Sequence, residues 1–113
     1  MEGRQLDAVI FVMDYLQLQF DSSWYLNIYS WPQIQYDGTI FNYSTSGYRN
    51  ALCGFIASIV KQAEEEPNDS LTLSFVKGVI KISLREDCNG PEAAMLTDRT
   101  SGEWEVWNSS HET

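Results

Sequence analysis

Positive charge is what this sequence has least of. Seven lysines and arginines stand against sixteen aspartates and glutamates, a formal net charge of −9. Phosphate-rich partners would be repelled, which argues against nucleic-acid binding and against an anionic membrane surface. Histidine is nearly absent. The single one, His111, sits third from the end among polar residues, a poor place for a fixed catalytic base. Cys53 and Cys88 are the only cysteines, with no CxxC spacing and no histidine beside them, so no zinc ligand set can be assembled. Cys53 lies among apolar residues and is expected as a buried free thiol. No glycine-rich phosphate loop occurs. No apolar run is long enough to span a bilayer, and the opening MEGRQLDAVIFVMDY carries acidic residues and no cleavage site, so the expected location is the cytoplasm. The carboxylates come in runs, as on solvated faces, and not as a secluded acid–base pair. The expectation is therefore a protein that is not an enzyme and that uses no cofactor or metal.

What the chain does have is apolar and aromatic material. Hydrophobic residues are 43% and aromatics 13% of 113 residues, enough to build one folded domain and too much for a disordered chain. With so negative a surface, the natural complement is a basic protein, approached by electrostatic steering.

The stretch Ser46–Glu66 holds the one helical pattern. Leu52, Phe55, Ile56, Ile59 and Val60 recur at helical spacing, with Ser46 as N-cap. Three glutamates, Glu64 to Glu66, would oppose the helix dipole at a C-terminus. The reading is a helix from Gly47 to Ala57 followed by a strand. Before it, Ala8–Met13 reads as a strand buried on both faces, and Leu16, Leu18 and Phe20 alternate as a half-buried strand. Trp24–Ser30 follows, then a hairpin turning at Asp37-Gly38. After it, Leu71, Leu73 and Phe75 alternate, Lys77-Gly78 turns, and Ile80, Ile82 and Leu84 alternate again. Glu92–Leu96 and Glu103–Trp107 complete the strands, and residues 108–113 read as a frayed tail.

An internal echo stands out. Asp14-Tyr-Leu-Gln-Leu-Gln-Phe20 matches Asp69-Ser-Leu-Thr-Leu-Ser-Phe75, and each is followed by a second alternating strand. The expected architecture is α+β: an antiparallel sheet of about six to seven strands, in two β-meander halves, packed on one central helix. Arg49 in the first helical turn and Glu92 after Pro91 are each awkward alone, and a structural ion pair between them would relieve both. Trp104 and Trp107 cannot share one side of a regular strand, so at least one tryptophan is expected at the surface.

At GYRNALCGFI, LTLSFVKGVIKISL, GPEAAML and GEWEVW the chain resembles a family of small acidic bacterial α+β proteins. Some of these are related to immunity proteins of contact-dependent or polymorphic toxin systems. The likeness runs from Val9 to Trp107 and rests on structural motifs: Gly47-Tyr48-Arg49, Lys77-Gly78 and Gly90-Pro91-Glu92. It departs at Lys77, where an acidic residue is expected. The resemblance implies an immunity role and a cognate basic toxin, such as a nuclease, as partner. The candidate contact residues are Glu64, Glu65, Glu66 and Asp69 around one hairpin, Glu86 and Asp87 in a loop, and Trp24 or Trp107 as aromatic anchor. A small-molecule-binding domain with its pocket between sheet and helix is the competing expectation. A homodimer is compatible with either.

Overall fold

The structure is a computed structural model describing residues 1–84 and 92–108, with Glu92 and Asn108 described in backbone alone. These residues form ten strands and one helix: β1 (Leu6–Phe11), β2 (Leu16–Phe20), β3 (Trp24–Ile28), β4 (Gln33–Tyr36), β5 (Thr39–Phe41), α1 (Tyr48–Cys53), β6 (Gln62–Glu66), β7 (Ser70–Ser74), β8 (Gly78–Ser83), β9 (Glu92–Asp98) and β10 (Trp104–Asn108). They make two antiparallel five-stranded sheets. Sheet 1 has the order β1-β2-β3-β9-β10 and sheet 2 the order β5-β4-β8-β7-β6.

One sheet of six to seven strands on a central helix is thus not what forms. A six-residue helix is only about 9 Å long and cannot roof a sheet. It buries Tyr48, Ala51 and Leu52 and lies against β4 and β1. The alternating strands cover each other instead. Leu16, Leu18, Phe20, Leu26 and Ile28 of sheet 1 share a single core with Ile34, Leu71, Leu73, Ile80 and Ile82 of sheet 2. Each of these side chains leaves water almost completely, at about 1.5–3 kcal/mol apiece before the entropy of ordering is counted.

The internal echo is structural. Leu16 and Leu18 pair with Ile28 and Leu26, and Leu71 and Leu73 pair with Ile82 and Ile80, the second hairpin being one residue tighter than the first. Each half is a three-strand meander followed by a hairpin, and the hairpins are exchanged. Hairpin β4–β5 of the first half docks on β8, placing Ile34 against Ile80. Hairpin β9–β10 of the second docks on β3, placing Leu96 against Leu26.

Several local expectations are corrected. The helix starts at Tyr48 after Gly47, whose φ of 87° suits glycine at the N-cap, and Ser46 makes no cap. It stops at Gly54, where a Cβ would lie 2.6 Å from the Tyr36 ring. The chain then turns through Ala57 at φ 75°, and Ser58–Val60 bonds to Arg4–Leu6 as an extended segment. Phe55 and Val60 of the expected stripe are buried, whereas Ile56 and Ile59 are exposed, because beyond Cys53 no helix is left to align them. Cys53 is exposed, not buried. β1 is an edge strand with Ile10 reaching solvent, not a strand buried on both faces. The Asp37-Gly38 turn is as read, with both residues at positive φ. The other turn centres on Val76-Lys77, one residue earlier than expected, closed by Phe75 and Gly78.

Candidate functional site

The glutamate run folds as β6, an edge strand of sheet 2. Three neighbouring glutamates repel in a helix, whereas a strand sends alternate ones to opposite sides. Glu64 and Glu66 stand outward with Gln62, whose amide donates to Glu64. Ala63 packs towards the core and Glu65 shares its side. The Trp107 indole Nε1 donates to Glu65 Oε1 at 3.0 Å, so the last strand of sheet 1 reaches the edge strand of sheet 2. Glu2 adds a further carboxylate by accepting the Ala63 amide at 3.2 Å. Glu64, Glu65 and Glu66 are all exposed, and none has a cationic partner among the described residues. The result is a row of carboxylates on a rigid strand, with one oriented by an indole.

The structure therefore brings together four of the candidate contact residues: Glu64, Glu65, Glu66 and Trp107. Asp69 follows at the end of the turn Glu66-Pro67-Asn68-Asp69, where Asn68 takes φ 64° and the Asp69 amide donates to Glu66 O. It is half-buried and faces a groove, not the glutamate edge alone. Trp24 takes a different partner: the Arg4 guanidinium lies 4.3 Å over its ring and also meets Asp21 at 3.4 Å. Glu86 and Asp87 lie outside the described residues. The same holds for the Glu92 side chain and with it the Arg49–Glu92 pair. Arg49 itself stacks its guanidinium over Phe11 at 5.0 Å.

A second feature was not read from the sequence. A groove of about 540 Å³ opens on the outer face of sheet 2, between Trp31, Tyr43, Asp69, Ser70 and Lys81. The outward placement of Lys81 and Ser83 was legible from the alternation of Ile80, Ile82 and Leu84. The stack of Trp31 on Tyr43, at 4.5 Å between ring centres, was not, because it joins a proline-broken strand end to a loop. The space between sheets and helix is filled by Tyr48, Leu52 and Phe55, all buried. Among the described residues no three histidines, cysteines or carboxylates converge to hold a metal ion. No helix among them is long and apolar enough to cross a membrane. No protein family, curated protein or solved structure matches the chain.

Proposed function

We propose that this chain is a non-enzymatic protein-binding protein that neutralises a basic bacterial toxin by laying the β6 edge across its positively charged cleft. The observation that carries this reading is β6 itself: three exposed glutamates on a fixed edge strand, one held by Trp107. A nuclease cleft built for phosphates attracts such a row, and the chain's net charge of −9 steers the encounter. Strand rigidity lowers the ordering cost on binding.

The test is co-expression with the product of the neighbouring upstream gene, with growth as the readout. Toxicity relieved by this protein supports the reading, and toxicity it leaves untouched overturns it. In vitro, replacing Glu64, Glu65 and Glu66 together by lysine is expected to slow association at low salt by about 10-fold or more, with less effect at high salt. An unchanged on-rate removes β6 from the interface.

A second reading, binding of a small polar molecule, is favoured by one observation, the groove beside Trp31 and Tyr43. Lys81→Ala would then abolish ligand-induced thermal stabilisation while leaving association with a basic protein intact.

A further inference from the structure

Two rows of side chains cross the outer face of sheet 1 from edge to edge. One is Ala8, Gln19, Tyr25, Thr97 and Trp104. The other is Ile10, Gln17, Asn27, Met95 and Val106. Their outward direction follows from alternation, since Leu18, Leu26 and Leu96 between them are buried in the core. None of the ten is charged, in a chain where one residue in five is. The matching face of sheet 2 differs: its rows carry Glu64, Glu66 and Lys81 among small Ser and Thr side chains.

The described charges near this face are engaged or turned away, Asp7 at the bulge beside Ala8 accepting from the Ser22 amide at 2.6 Å. Glu105 pairs with Leu96 and so points to the other side. Asp98 is turned into its own loop, accepting from the Thr100 amide at 3.0 Å and the Ser101 hydroxyl at 2.8 Å. Among the described residues the cation touching the face is Arg99, whose guanidinium carbon lies 4.0 Å over the centre of the Tyr25 ring. The polar groups are already tied to one another: Gln17 Nε2 donates to Asn27 Oδ1 at 2.9 Å, and the Tyr15 and Tyr29 rings meet at 5.6 Å. Aromatic and methionine side chains without charge are the composition of an interface centre, and side chains already fixed lose little entropy when covered.

We propose that this face joins two copies of the chain in a twofold, face-to-face dimer. A basic partner finds no carboxylate in these two rows to read, and among the described residues nucleic acid or anionic lipid finds only Arg99. The complement of an uncharged face is another uncharged face, and a second copy supplies one at equal concentration. Any other approach between two chains of net charge −9 meets like charge. Five strands about 4.8 Å apart and five residues long at about 3.3 Å each span a plane of roughly 24 by 17 Å. Upright tyrosine and tryptophan side chains raise its accessible area above the plan area, towards the roughly 800 Å² that each partner gives to a standard interface. A twofold axis lets one patch serve both sides and leaves β6, on the opposite sheet, free in each copy.

Sedimentation equilibrium on the full chain is expected to show a species of twice 12.9 kDa. Its dissociation constant should fall as salt rises from about 50 to about 500 mM, because screening removes repulsion between the copies, the reverse of an ion-paired complex. Asn27→Asp with Met95→Glu should weaken the dimer about 100-fold or more by facing like charges across the axis. Thr72→Glu, on the outer face of sheet 2, should leave it unchanged. Circular dichroism checks folding, and Trp104→Ser at an exposed position replaces the double variant if that fails to fold. A wild-type monomer up to roughly 100 μM overturns the proposal, as does a dimer that survives the double variant. A monomer whose affinity for a basic partner drops with Met95→Glu would assign the face to that partner and overturn it equally.

Discussion

At Tyr48 a single side chain serves packing and polarity together. Its ring is buried in the core, and its hydroxyl donates to Pro32 O at 2.6 Å, tying α1 to the start of β4. Burial, with the Tyr43 hydroxyl adding to it, pushes the phenol well above its usual range. A raised value means the fold favours the protonated form. That preference is fully present below the unfolded value near 10 and is lost as pH rises towards the folded one. Tyr48→Phe keeps the ring and orphans a buried carbonyl. The variant is expected to lose about 1–2 kcal/mol in urea unfolding at neutral pH and to be less sensitive than wild type to alkali above pH 10. Equal stability at pH 7 would show that water takes the place of the hydroxyl. At this scale the sequence was only partly legible. It gave the carboxylates of β6 as a cluster, because they are neighbours in the chain. It could not give the Trp107–Glu65 bond, which joins the last strands of two different sheets.

The elements that could be read were those whose pattern is local. Leu16, Leu18 and Phe20, and Leu71 and Leu73, alternate so regularly that β2 and β7 could hardly be otherwise, and Asp37-Gly38 supplied a turn whose geometry those residues favour. The helix was overestimated because Phe55 and Val60 fall at helical spacing while reaching the core by a different route. The deciding facts lie elsewhere in the chain, in the Tyr36 ring against Gly54 and the Arg4–Leu6 backbone beside Ser58–Val60. Gly78 shows the same dependence on a distant neighbour. A Cβ there would come within 1.8 Å of the Gln35 carbonyl on β4, so the side chain's absence lets β4 pair with β8. Gly78→Ala is expected to cost about 2–3 kcal/mol through backbone displacement, and amide exchange of β4 should rise more than that of β7. Uniform exchange across the sheet would place the damage elsewhere.

Across the whole molecule, the echo between the halves predicted two meanders but not the exchange of hairpins, since identical alternation suits either partner. The exchange has a direct test. A chain cut within the loop between β5 and α1 should give two fragments, each lacking a hairpin for its own sheet. Each is expected to be largely unfolded alone by circular dichroism, and mixing them should restore the native spectrum. A fragment that folds by itself would show that its meander completes a core without the other half. The two faces left over then serve different ends: an acidic edge on sheet 2 and an uncharged plane on sheet 1.

The exchanged hairpins also set an order of events during synthesis. The first meander emerges early, but the strand that flanks β3, and the hairpin it belongs to, are the last elements to be made. Until then β3 offers an open row of amides and carbonyls with Leu26 and Ile28 uncovered, the kind of edge on which nascent chains pair wrongly. Premature termination before β9 would therefore yield a chain prone to aggregate, so the vulnerability of this protein in the cell is concentrated in the interval before its final hairpin closes.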